Sequence, residues 1–166
     1  VASKNYILDQ SVAEKKLRRM ALEILENNGD EKELLIVGID ENGSVIARNI
    51  RELIGELSPS IKTEFLTISL DKRTPREIKL SHQMDFNGKS IIVVDDVANS
   101  GKTLLYALKP FLDFQPRKIQ ILVLVERSHN SFPVRPDYVG ISISTTLQEH
   151  IFVEVNETRV LGAYLE

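Results

Sequence analysis

Apolar positions along this chain recur in two rhythms, and the places where one gives way to the other mark out the elements. Leu17, Met20, Ala21, Ile24 and Leu25 fall at helical spacing, which predicts an amphipathic helix from about residue 11 to 27. Ser11 with Glu14 three residues later predicts a capping box at its start, and Asn27-Asn28-Gly29 marks its end. Leu34 to Ile39 is a continuous apolar run, the pattern of a strand buried on both faces. Ile46, Ile50, Leu53, Ile54 and Leu57 mark a second helix, and Ile61 to Leu70 the next strand. Strand, helix, strand in that order implies a right-handed crossover and a parallel sheet.

Residues 71–86 break the pattern: they carry Pro75, four basic residues and no sustained period beyond Ile78 and Leu80 alternating with Lys79 and Ser81. A stretch this long without clear structure marks function or disorder. A strand at Ile91 to Val94 then leads to a helix with the stripe Leu104, Leu105, Leu108, Phe111 and Leu112, and Ile119 to Val125 is a further buried strand. Asp137 to Ile141, Ile151 to Val155 and Thr158 to Leu165 read as three more, the last two as a hairpin around Asn156-Glu157. The expected architecture is α/β: a doubly wound parallel sheet in one domain, residues 1–166, with a mobile loop at about 71–86 and a small C-terminal β elaboration.

Composition narrows the class without naming a function. The chain has 166 residues, 42% hydrophobic and 27% charged, enough for a substantial core. It has no cysteine, which excludes disulfides and thiolate metal sites. No apolar run approaches the roughly 20 residues that span a bilayer, and no signal-peptide pattern opens the sequence, so a cytoplasmic protein without membrane contact is expected. The net charge of −3 gives no global pull toward nucleic acid. Lys15, Lys16, Arg18 and Arg19 on the first helix read as a solvated face, partly balanced by Glu14, Glu23 and Glu26.

The chemistry gathers at strand ends, where Asp40, Asp71, Asp95, Asp96 and Glu126 all fall. In open α/β sheets ligands lie beyond the carboxyl ends of the strands. The stretch Ile91 to Leu104, IIVVDDVANSGKTL, joins a buried strand and two acids to a small-residue turn and a helix start. Backbone N–H groups at such a start favour a bound anion, while carboxylates accept hydrogen bonds from a diol or hold a cation beside the phosphate. Together they suggest a sugar-phosphate site. A P-loop is excluded, because the glycine it needs five residues before Gly101 is Asp96.

An apolar strand, two acids, a short spacer and small-Gly-basic-Thr closely resemble the phosphoribosyl-pyrophosphate (PRPP) signature of type I phosphoribosyltransferases. Most of the chain resembles one branch, the bifunctional pyrimidine operon attenuator/uracil phosphoribosyltransferases, most strongly in LVERSHNSFPVRPDYVG, Leu124 to Gly140. The resemblance implies PRPP-dependent transfer of a 5-phosphoribosyl group to a nucleobase, uracil preferred, with release of pyrophosphate. It implies that Asp95 and Asp96 hold the ribose hydroxyls, and that Ala98, Asn99, Ser100, Gly101, Lys102 and Thr103 cradle the 5′-phosphate. Asp40, Glu41, Asn42 and Gly43 stand at the pyrophosphate loop, and Glu126, Arg127, Tyr138, Val139 and Ile141 at the base pocket. The resemblance further implies a Mg²⁺ ion held through ligand oxygens and water, with Asp95 and Asp96 as candidate protein ligands. Lys72 and Arg73, in the mobile segment, would stabilise departing pyrophosphate. A homodimer is implied, with PRPP and a nucleobase or nucleoside monophosphate as ligands.

Three departures qualify that picture. Asp40-Glu41 puts acids where the family usually has basic or hydroxyl residues, and like charges repel. Ile141 stands where the branch typically has Lys, and Leu147 where it has Arg, which removes charge near the base pocket or an RNA face. Hypoxanthine or guanine transfer, and a nucleotide-sensing RNA-binding regulator with weak or no catalysis, are the alternatives. His129 fits the branch pattern, His82 lies in the mobile segment, and His150 has no supporting motif; their spacing makes no metal site.

Overall fold

The computed structural model describes residues 4–71, 73–146 and 148–166. Its centre is a six-stranded sheet built where the unbroken apolar runs predict it. The strands are β2 (Glu33–Ile39), β3 (Lys62–Leu70), β4 (Ile78–Leu80), β5 (Ser90–Ala98), β6 (Lys118–Arg127) and β7 (Tyr138–Ile143). They lie in the order β4-β3-β2-β5-β6-β7, all parallel except β4, which runs antiparallel to β3. Helices α1 (Gln10–Asn27) and α2 (Asp40–Leu57) cover one face and α3 (Lys102–Ala107) the other. Side chains of the central strands alternate accordingly: Leu34, Ile36, Ile92, Val94, Leu122 and Leu124 pack toward α1 and α2, while Leu35, Val37, Ile91, Val93, Ile121 and Val123 pack toward α3.

A second, three-stranded antiparallel sheet joins the two ends of the chain. Strand β1 (Asn5–Asp9) pairs with β9 (Val160–Leu165), which pairs with β8 (Ile151–Val155). The predicted hairpin is present, its turn closed by Asn156 Oδ1 accepting from the backbone N–H groups of Thr158 and Arg159 at 2.9 and 2.7 Å.

Three expectations are revised, and a fourth stretch takes the form its alternation suggests. Helix α1 starts one residue before Ser11, and its cap is Asp9, whose carboxylate accepts from Val12 N at 2.8 Å. Asp40-Glu41-Asn42-Gly43 is not a loop but the first turn of α2, so the helix leaves β2 directly. Gly43 makes this possible, since a Cβ there would sit 2.7 Å from Val94 O. The predicted third helix is cut short: Pro110 lacks the N–H an α-helix needs, a 3-10 turn follows over Lys109–Phe111, and Leu112 swings out to 72% exposure. Residues 71–86 hold strand β4, where Ile78 and Leu80 alternate, and end on a buried Phe86 set edge-to-face against Phe111 and Phe114 at 4.8 and 5.1 Å.

Candidate active site

The chain passes from β2 through α2 to β3 on one side, then crosses to β5 on the other and continues outward to β6 and β7. The strand order reverses between β2 and β5, the point at which open α/β sheets form a crevice beyond the carboxyl ends of the strands. Asp95 and Asp96 stand there, 1% and 9% exposed. They lie inside β5 rather than beyond it, because pairing with β6 continues through Val97 to Val125 and Ala98 to Glu126. Buried carboxylates need donors. Asp95 Oδ1 accepts from Asp96 N and Asp96 Oδ1 from Val97 N, both at 2.8 Å. Asn42 Nδ2 donates to Asp96 Oδ2 and to Val153 O, each at 3.0 Å, tying α2, β5 and β8 together at the crevice.

After β5 the chain folds Ala98, Asn99, Ser100, Gly101, Lys102 and Thr103 around a concavity of about 60 Å³ that Val97 and Leu104 complete. Gly101 takes a φ of +87°, the left-handed region in which glycine alone is unstrained, and its carbonyl starts α3 by accepting from Leu105 N at 3.0 Å. Ser100 Oγ accepts from Lys102 N at 3.3 Å. The concavity lies at a helix start among Asn99, Ser100, Gly101, Lys102 and Thr103, small, polar and basic residues suited to a phosphate group.

On the β2 side, Asp40 adopts a φ of +52°, and its Oδ1 accepts from Leu70 N at 3.3 Å, joining the carboxyl ends of β2 and β3. One of the two acids feared at this position is therefore turned onto a backbone N–H, while Glu41 stays exposed. Arg73 is exposed, and Asp71 Oδ1 accepts from its N–H at 2.9 Å; this bond, with those from Thr74, holds the Asp71 carboxyl below its usual range. Lys72 and Leu147 lie outside the described residues.

The residues assigned to the base do not all come together. Glu126 is level with Ala98 and accepts from Ser142 Oγ at 3.2 Å, and Arg127 beside it donates to Glu149 O. Arg127 Nε is buried and has no hydrogen-bond partner among the described residues. Tyr138 is elsewhere: it begins β7 opposite Leu122, is buried against α1, and donates to Gln120 Oε1 at 2.8 Å, with burial pushing its phenol above the ordinary value. The carboxyl end of β7 is Ser142-Ile143, two residues later than the sequence pattern suggests. Val139 is partly buried on the α3 side and Ile141 on the α1 side. Arg19 of the basic helix face is committed internally, donating to Val139 O and Gly140 O at 2.9 Å and pairing with Glu23. Asn42 as a bridge and Ser142 beside Glu126 were not legible in the sequence, since both roles depend on strand register.

The family model for the phosphoribosyl transferase domain matches residues 3–158, which include every element of this crevice. The chain belongs to that family. As a phosphoribosyltransferase it is 33% identical over 165 residues to the bifunctional protein PyrR of Bacillus pumilus, covering 93% of this chain and 92% of the relative. Identity to the bifunctional protein PyrR of Clostridium kluyveri is 35% over 162 residues, with 93% and 92% covered. Among solved structures, a variant of hypoxanthine phosphoribosyltransferase from Trypanosoma cruzi, complexed with the product IMP, aligns with a TM-score of 0.81 at 14% identity, over 99% of this chain and 84% of that one. A hypoxanthine-guanine phosphoribosyltransferase from Bacillus anthracis aligns with a TM-score of 0.73 at 21% identity, over 86% and 84%. At these identities the two structures speak for the fold. Among the described residues of this phosphoribosyltransferase, no helix is long and apolar enough to cross a membrane.

Proposed function

We propose that this phosphoribosyltransferase moves a 5-phosphoribosyl group from PRPP to a nucleobase, with uracil preferred. The observation that carries the reading is the juxtaposition, at one crevice, of the buried Asp95-Asp96 pair and the Ala98–Thr103 concavity. A diol on the carboxylates and a phosphate in the concavity describe a ribose 5-phosphate. Uracil rests on the resemblance of Leu124 to Gly140 to the bifunctional attenuator/uracil phosphoribosyltransferase branch.

In this reading a ring nitrogen of the base forms a bond to C1′ as the C1′–O bond to pyrophosphate breaks; the electron pair of that bond leaves with pyrophosphate, and the proton of the ring N–H passes to solvent. Asp95 and Asp96 orient the ribose through its 2′ and 3′ hydroxyls. The loop anchors the 5′-phosphate, and Glu126 with Ser142 and Arg127 faces the base. Arg73 lies on the segment after β3 and would meet the leaving group, as would Lys72, its neighbour in sequence. Among the described residues no three acidic or imidazole side chains converge as a ligand set. The carboxylates at Asp95 and Asp96 nevertheless suit Mg²⁺, a hard cation that takes one or two carboxylates and fills its shell with substrate oxygens and water. When bound it would supply charge neutralisation for pyrophosphate.

The test is to mix the protein with PRPP, Mg²⁺ and each base in turn and to follow pyrophosphate release. Uracil is expected to give the fastest release. Silence with every base, alongside binding of a nucleoside monophosphate, would instead favour a nucleotide sensor.

A further inference from the structure

The segment between β6 and β7 makes a contact that the reaction as described does not use. Ser131 N and Phe132 N both donate to Ser100 O at 3.0 Å, so one carbonyl of the phosphate loop is held from behind by two N–H groups. Asn130 builds the turn that presents them: its Oδ1 accepts from Phe132 N at 3.3 Å and its Nδ2 donates to Val134 O at 3.0 Å. The same turn lies directly on Gly101. A Cβ at Gly101 would sit 2.7 Å from Asn130 Oδ1 and 3.2 Å from Val134 O. Val134 in turn packs against the α3-side core, which fixes the turn to the body of the protein.

We infer that Asn130 is a positioning residue for phosphate binding: it holds the turn that fixes Ser100 O and thereby aims the Gly101 N–H into the phosphate concavity. The proposal rests on the reading of Ala98–Thr103 as the phosphate loop. The physical step is the planarity of the peptide bond. In a trans peptide the C=O of one residue and the N–H of the next point in opposite directions. Holding Ser100 O toward residues 131 and 132 therefore holds the Gly101 N–H on the opposite side, facing away from the turn. The donor is set before the ligand arrives, and no ordering cost falls on binding. Asn is suited to the task because its amide supplies both the acceptor and the donor that the turn requires.

The test measures the affinity of wild type, Asn130→Ser and Asn130→Ala for uridine 5′-monophosphate and for uridine, which differ only in the phosphate. Loss of one well-aimed N–H to a charged oxygen lowers affinity by roughly tenfold to a hundredfold. Asn130→Ala is expected to lose about that factor for the nucleotide, with uridine affinity changed by less than about twofold. Asn130→Ser keeps a weaker hydroxyl acceptor for Phe132 N and is expected to fall between. Wild-type affinity in the alanine variant, or an equal loss for both ligands, would overturn the proposal. Should Asn130→Ala fail to fold, the serine variant decides alone: a loss selective for the nucleotide supports the role, and no selective loss overturns it. A wild type that binds the nucleotide no better than uridine would remove the phosphate-loop reading itself, a different failure from that of Asn130.

Discussion

The β5–α3 wall of the crevice and the β2–α2 wall are made differently. In the first, two acids lie buried on backbone N–H groups, and the loop after them is held by short side chains and by the turn at Asn130. In the second, Asp40 is committed to Leu70 N, Glu41 is exposed, and the cation at Arg73 lies on an exposed turn. Under the proposed function the first wall would meet the sugar phosphate and is set in advance, while the second would meet pyrophosphate and take its charge from ligand or cation. Preorganisation is worth most where a group must be held still through the reaction, and adaptability where a leaving group must depart.

The largest effect should come from the preset wall. Asp95→Asn combined with Asp96→Asn is expected to abolish PRPP binding in a calorimetric titration while the protein stays folded by circular dichroism. Normal binding by the double variant would put the sugar elsewhere. Next comes Gly101→Ala, which forces a β-carbon into the left-handed region and against Asn130 Oδ1. A loss of about 1–2 kcal/mol in stability is expected by denaturant titration, with nucleotide affinity weakened more than nucleoside affinity. Asn42→Ala removes the bridge between the walls; a cost of about 1–2 kcal/mol and a raised KM for PRPP are expected, and an unchanged KM would mean that the walls act independently. Glu41→Gln tests the open wall, and a KM for PRPP lowered a few-fold is expected, fading at high salt.

The smallest effect concerns the turn at Asp71. Its folded carboxyl titrates below the ordinary 3.8 because the Arg73 N–H and Thr74 donate to it. A depressed folded value means the contribution is present above the unfolded pKa and lost as pH falls through the folded one. The Arg73 amide resonance should therefore titrate with a midpoint below 3.8, and a midpoint above it would show that the turn does not persist in solution.

Strands β2, β5 and β6 were legible because the middle of a strand buried on both faces is an unbroken apolar run, and the crevice followed from the acids toward their carboxyl ends. The loop at Ala98–Thr103 was legible because small residues and glycine are needed locally. What escaped depended on partners far away in the chain. Strand β1 exists because Tyr6 pairs with Tyr164, and Asp9 caps α1 because that strand delivers it there. Tyr138 was assigned to the base pocket by its neighbours in sequence, yet the register that sets it opposite Leu122 sends it under α1. The direct start of α2 required Gly43 to lie on Val94 O, a contact between two elements that no periodicity records.

The contrast between the walls is tested most directly by titrating the protein with uridine 5′-monophosphate and with inorganic pyrophosphate, each with and without Mg²⁺. A preset sugar-phosphate wall predicts that the nucleotide binds with nearly the same affinity in both conditions, while pyrophosphate binds only when Mg²⁺ is present. A nucleotide that needs Mg²⁺ as strongly as pyrophosphate does, or pyrophosphate that binds well without it, would contradict the account.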